Sequence, residues 1–330
     1  MRSVGDGGDG AIVAGVDLGG TKIQTIVVRG DEVLGQAREP TPRDGAAAVA
    51  ASVVDSVRAS LADAGVESRA LSAVGIGAPG RIRDGVISNS PNMPGMQEPF
   101  PMGAAVSSDL DGVTVRIDND VTVATLGEMH RGAGRPFSSF LSVFVGTGVG
   151  GGMVLGRAVW RGRGAAGEIG HMVVRINGAK CGCGRRGCME AYAGRGAMEV
   201  HAREKVDKGE KTVLFEIMEE KGKPRLSSGI WQRALERDDK LAHHMIRQAV
   251  DALGVGIASS LNLLDVEAVV IGGGLGLRLG DPYVERIRDA VMPHLFADHR
   301  PPEILLASLG DLGGAIGATL LAADKTPAAA

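Results

Sequence analysis

The chain has 330 residues, 44% of them hydrophobic and 23% charged, with a formal net charge of −3. That balance supplies a sizeable core, excludes global disorder and offers nucleic acid no strongly basic surface. The length suits two domains; no apolar stretch suggests a membrane span, residues 1–10 lack the apolar centre of a signal peptide, and the few cysteines point to the cytoplasm.

Ala11 to Val16 is an apolar run ending in Asp17-Leu18-Gly19-Gly20-Thr21-Lys22, after which Ile23 to Val28 resumes a β-rich run. The pattern predicts strand, glycine turn, strand. Ala46 to Ala64 has helical spacing, with Val49, Val53, Val57 and Leu61 on one stripe. Leu71 to Gly77 predicts a strand ending at Ala78-Pro79-Gly80. Val113 to Ile117 predicts another, ending at Asp118-Asn119-Asp120 before a helix from Val121 to His130. Ser139 to Val145 reads as a strand that turns through Gly146-Thr147-Gly148-Val149-Gly150-Gly151-Gly152, and Met153 to Leu155 returns from it. The recurrence of strand–turn–strand suggests two half-molecules with the same opening motif. Glu199 to Leu241 is rich in charge and predicts surface helices with a solvated face. Ala242 to Leu264 predicts a long helix, and Ala268 to Ile271 a strand ending in Gly272-Gly273-Gly274. Gly313 to Ala323 predicts a small-residue helix, and Lys325 to Ala330 a frayed tail.

Three groups of residues carry chemistry. Glycines at 19, 20, 146 and 148 let backbone approach a polyanion, while Thr21 adds a hydroxyl and Lys22 a cation. The spacing is not that of a Walker A loop, and the strand that follows excludes a dinucleotide fingerprint. A plain hairpin explains the first loop alone about as well; as a pair, the two loops suit a triphosphate gripped from two sides. Gly272-Gly273-Gly274 suits either adenine and its ribose or a helix–sheet packing turn. Asp118-Asn119-Asp120, at a strand end, suits a carboxylate that orients a hydroxyl and takes its proton, although one of the three also suits a helix cap. All three cysteines fall in Cys181-Gly182-Cys183-Gly184-Arg185-Arg186-Gly187-Cys188. C-x-C and C-x4-C spacing can converge on one soft cation, and His171 is the best candidate to complete a Cys3His zinc site. The other reading is a disulfide plus a spare thiol, which an odd count fits poorly.

Together these motifs resemble the ROK sugar kinases of the actin/hexokinase/Hsp70 ATPase superfamily. The matching stretches are Asp17 to Lys22, Gly77-Ala78-Pro79-Gly80, Ile117 to Asp120, Gly146 to Gly152, Gly167-Glu168-Ile169-Gly170-His171, and Cys181 to Glu190, in the family's order. The resemblance implies an α/β, two-domain actin-like ATPase (ribonuclease H-like) fold with its active site in the interdomain cleft. Residues 11–120 and about 312–325 would form the small domain, and 121–311 the large domain carrying the zinc loop. The implied activity is ATP-dependent phosphorylation of a hexose 6-hydroxyl, with glucose leading and N-acetylglucosamine, N-acetylmannosamine, mannose or fructose as alternatives. Asp120 would be the catalytic base. Asn92, Asn119, Asp120, Glu168, His171 and Glu190 would contact the sugar. Asp17 would hold Mg2+. Gly19, Gly20, Thr21, Lys22, Gly146, Thr147 and Gly148 would line the phosphates, and Gly273 and Gly274 the adenosine. His171, Cys181, Cys183 and Cys188 would hold a structural Zn2+. A cytoplasmic homodimer or homotetramer that binds neither nucleic acid nor membrane is expected. A remote alternative is a sugar-responsive transcriptional regulator lacking its DNA-binding domain: family repressors carry a helix-turn-helix domain ahead of the first glycine loop, and ten residues before Ala11 are expected to be too few for one. Many members also have a tryptophan after the Asn-Leu-Pro-Gly loop, where this chain has Met96 after Asn92-Met93-Pro94-Gly95.

Overall fold

A computed structural model describes residues 10–90, 93 and 95–324. The tail from 325 and Asn92 therefore lie outside the described residues. The chain divides into two compact units, one of residues 1–132, 161–164 and 311–330, the other of 133–160 and 165–310.

The first unit opens with β1 (Ile12–Leu18), β2 (Lys22–Arg29) and β3 (Glu32–Pro40), an antiparallel meander. Helix α1 (Ala46–Asp63) leads to β4 (Leu71–Ala78), parallel to β1. A small hairpin, β5 (Arg81–Arg83) and β6 (Val86–Ser88), and helix α2 (Met102–Asp109) precede β7 (Thr114–Asn119), parallel to β4. The sheet order is β3-β2-β1-β4-β7. Helix α3 (Asp120–Arg131) follows directly. The predicted stripe Val49, Val53, Val57 and Leu61 is buried against Ala14, Val16, Leu18, Ile23 and Val27 on one face of the sheet. On the other face Val13, Ile26 and Ala73 meet Ala315 and Ala322 of the final helix. Each fully buried valine or leucine contributes roughly 1.5–3 kcal/mol, so the two-sided packing is the main force holding β1 central.

The second unit repeats the plan. Strands β8 (Phe140–Val145), β9 (Val149–Leu155) and β10 (Ala158–Val159) form a meander. Then come helices α4 (Glu190–Ala193), α5 (Arg195–Asp207), α6 (Leu214–Glu220), α7 (Ser228–Glu236) and α8 (Lys240–Leu264). Next, β11 (Ala268–Gly272) lies parallel to β8. Helix α9 (Gly273–Val291), broken at Gly280, leads to β12 (Glu303–Leu306), parallel to β11. The order β10-β9-β8-β11-β12 matches the first sheet strand for strand. The last described helix, α10 (Gly313–Ala323), belongs to the first unit.

Three sequence expectations are revised. The return strand begins at Val149, so the turn is confined to Gly146, Thr147 and Gly148. The first unit extends past Asp120 to Gly132, because α3 packs Val123 against Ala318 and Leu321 of α10. The segment from 199 to 241 is not a wholly solvated face. Ala202, Leu214, Ile217, Ile230, Trp231 and Ala234 are buried in the unit's main core, Trp231 completely.

Candidate active site

The two glycine hairpins share one hydrogen-bond logic. In the first, Gly19 N–H donates to Lys22 O (2.9 Å), Thr41 Oγ1 donates to Gly19 O (2.6 Å) and Thr41 N–H to Thr21 O (3.3 Å). In the second, Gly146 N–H donates to Gly148 O (2.9 Å), Arg195 N–H to Gly146 O (3.0 Å) and Gly196 N–H to Thr147 O (2.9 Å). The carbonyls are tied back at both turns. Among the described residues, no protein acceptor takes the N–H groups of Gly20, Thr21, Thr147 or Gly148. Free backbone donors with tethered acceptors are what an anion needs.

Asp17, at the end of β1, sits beside Gly314 near the start of α10. Burial pushes its carboxyl up from the ordinary carboxylate value; nearby Lys22 pulls it back, and Asp311 adds to the rise. A carboxylate held against its preference next to a second acid fits a cation ligand. The donor set at this place is hard oxygen, as Mg2+ requires.

The β7–α3 junction sorts its three polar residues. Asp118 Oδ1 accepts from Asn119 N–H (2.8 Å), and its Oδ2 is paired with Arg161 Nε at 2.7 Å. Asn119 is the N-cap of α3, its Oδ1 accepting from Val121 N–H (3.0 Å) and Thr122 N–H (3.2 Å). Asp120 Oδ1 accepts from Val121 N–H at 2.9 Å. Arg161 had no signal in the sequence, since it lies 43 positions from the carboxylate it neutralises.

In the second unit, Glu168, His171, Glu190 and the cysteines come together. His171 Nε2 stands 3.9 Å from Glu168 Oε2, while its Nδ1 is 3.9 Å from Cys181 Sγ. Cys183 and Cys188 sulfurs are 3.7 Å apart, far beyond a disulfide bond of about 2.05 Å. One donor atom from each of His171, Cys181, Cys183 and Cys188 lies within 4.8 Å of the others. A tetrahedral zinc with Zn–S bonds of about 2.3 Å would set its sulfurs about 3.8 Å apart, so the four donors fit Zn2+. Burial pushes the Cys181 thiol up to about 12 in the absence of a metal. Glu190 Oε2 accepts from Val149 N–H (2.9 Å), and Oε1 stands 3.8 Å from Cys181 Sγ. At the other end of the hairpin, Gly274 lies beside Gly146. Gly273, with φ of +79°, presses its Cα against the Val145 backbone, so packing accounts for this glycine without a ligand.

Two sheets of one topology, each opening through an anion-ready hairpin, are the plan of the two-domain actin-like ATPase fold. The family model "ROK family" matches residues 13–325, and the chain belongs to that family. It is 30% identical over 323 residues to the glucokinase of Streptomyces coelicolor, covering 96% of this chain and 99% of the relative. It is 30% identical over 316 residues to the N-acetylmannosamine kinase of Haemophilus influenzae, covering 94% of each. The crystal structure of a Streptomyces griseus ROK glucokinase in complex with glucose and AMPPNP matches with a TM-score of 0.78 at 31% identity, over 94% of this chain and 99% of that one. The protein is an ATP-dependent sugar phosphotransferase of the ROK family.

Proposed function

We propose that the chain is a glucokinase, transferring the γ-phosphoryl group of ATP to the 6-hydroxyl of glucose. The observation that carries this reading is the sorting at the β7–α3 junction. Arg161 pairs with Asp118 and the Asn119 side chain caps α3, while Asp120 stands at the first position of that helix, where the ROK motif Ile117 to Asp120 has its base; we assign that role to Asp120. The glucokinase relatives, alike over almost their whole length, favour glucose as the sugar.

In the reaction, the sugar O6 forms a bond to Pγ as the bond from Pγ to the bridging oxygen of ADP breaks. Asp120 receives the O6 proton and later releases it to water. Positioning supplies most of the catalysis, roughly 7–11 kcal/mol in well-oriented cases. Asn119, Glu168, His171 and Glu190 hold the sugar hydroxyls, and Asn92 is expected to join them. The tip amides of Gly20, Thr21, Thr147 and Gly148 hold donor phosphates, with Gly19 and Gly146 letting the backbone approach. Lys22 adds charge, and Gly273 and Gly274 flank the adenosine. Mg2+, held by Asp17 directly or through water, would offset phosphate charge. Zn2+ would be structural: His171 gives Nδ1 to the metal side and keeps Nε2 toward Glu168. Thiolate ligation suits a reducing compartment, hence the cytoplasm. Assembly as a homodimer or homotetramer is part of the same reading.

N-acetylmannosamine is the second candidate sugar, on the likeness to the Haemophilus influenzae kinase. A coupled ADP-release assay over glucose, mannose, fructose, N-acetylglucosamine and N-acetylmannosamine tests the choice. Glucose should give the highest kcat/KM. A higher value for any other sugar would displace it.

A further inference from the structure

Arg195 opens α5 immediately after Gly194, and its guanidinium is built into the second glycine hairpin. Nη2 donates to Thr147 Oγ1 at 3.0 Å and Nη1 to Leu226 O at 3.1 Å. Nε is buried and has no acceptor. Its own backbone N–H and that of Gly196 hold the hairpin carbonyls. Arg225 lies beside Gly196, so a second guanidinium stands on the same side of the hairpin. Burial, and then the charge of Arg225, pull the Arg195 pKa below its ordinary value, with Glu199 opposing. That carboxylate is already shared: Arg203 Nη2 donates to it at 2.8 Å, and Arg225 Nε lies 3.5 Å away. Arg195, Arg203 and Arg225 thus outnumber Glu199, and positive charge is left over next to Thr147.

Surplus charge in a partly buried place is costly unless an anion offsets it. The Thr147 hydroxyl points to where that anion sits. Its oxygen accepts from Arg195, so its own proton is turned toward another acceptor. A phosphate oxygen beside the unpartnered Thr147 and Gly148 amides is such an acceptor.

We infer that Arg195 is a positioning residue for the phosphoryl donor: it orients the Thr147 hydroxyl and, with Arg225, supplies positive charge to the donor's phosphates at the second hairpin. The inference rests on the kinase reading above. It assigns Arg195 to the nucleotide and not to the sugar, which a purely structural role would not do.

The test compares wild type with Arg195→Gln, Arg195→Lys and Thr147→Val. ADP affinity is read by calorimetry, KM for ATP and for glucose by kinetics, and melting temperature without ligand. Loss of a charge-assisted contact corresponds to about 10- to 100-fold in affinity. Arg195→Gln should weaken ADP binding and raise the KM for ATP by that much, leaving the KM for glucose within about twofold. Arg195→Lys should fall between wild type and the glutamine variant. Thr147→Val should share the loss, so that the double variant is less than additive. Unchanged ADP affinity in Arg195→Gln, or equal rises in both KM values, would overturn the inference. Should the glutamine variant not fold, the lysine variant decides on the same comparison. Wild type that binds no ADP would instead overturn the kinase reading itself, and the inference with it.

Discussion

Glu190 Oε2 accepts a hydrogen bond from Val149 N–H at 2.9 Å, which fastens the end of the cysteine loop to the end of a glycine hairpin. The same carboxylate reaches toward Cys181 Sγ with its other oxygen, at 3.8 Å. Gly148 lies so close beneath it that a Cβ there would collide with Oε2. Glu190 is therefore where the proposed metal site, the proposed sugar contacts and the second glycine hairpin meet.

Replacing Glu190 with Gln keeps the shape and removes the charge. A backbone bond to a charged acceptor is worth about 1.5–3 kcal/mol and a neutral one about 1, so stability should fall by about 1 kcal/mol. The KM for glucose should rise by about tenfold or more, because the proposed function makes Glu190 a charged ligand of the sugar. Gly148→Ala should reproduce both effects by pushing the carboxylate away. Denaturant melts and steady-state kinetics on the two variants check this.

Zinc should be found at one ion per chain by elemental analysis. Dialysis against a chelator should lower the melting temperature and the glucose affinity together, because the proposed function gives His171 to both the metal and the sugar. A metal-free sample with unaltered melting and kinetics would remove zinc from the site.

Glu199 gives a pH signature unconnected with catalysis. Burial alone raises its carboxyl, but hydrogen bonds from Arg203 and Leu226 N–H, with Arg225 nearby, outweigh burial and hold it below the ordinary 4.5. The folded state thus binds that proton less tightly than the unfolded chain. The stability it supplies is complete above about pH 4.5 and drains as pH falls through the lowered folded value. Glu199→Gln should melt earlier than wild type at pH 7, and the gap should narrow on acidification below 4.5. Melting curves across that range give the answer.

What was legible in the sequence had a local cause. The glycine turns, the valine stripe of α1 and the cysteine cluster each show their spacing within a few residues. The repeated sheet could be read from its two hairpins, because β1 and β8 are continuous apolar runs buried on both faces. The edge strand β3 leaves no mark in the sequence: most of its residues face solvent, so no alternation marks it. The buried stripe of α5 to α7 was hidden by dense charge, since Ile230, Trp231 and Ala234 are surrounded by polar neighbours in sequence. The pairings Asp118–Arg161 and Thr147–Arg195 span 43 and 48 positions, and only folding creates them.

The most direct measurement is glucose-dependent ADP release by wild type and by Asp120→Asn, with glucose affinity followed by calorimetry. General base catalysis contributes about 10²–10⁴-fold. Turnover of the variant should drop by that factor or more, while glucose binding, weakened by about tenfold through the loss of one charged contact, stays measurable. Near-normal turnover in Asp120→Asn, or no glucose-dependent ADP release by wild type, would contradict the assignment of Asp120 as the base of a glucose kinase.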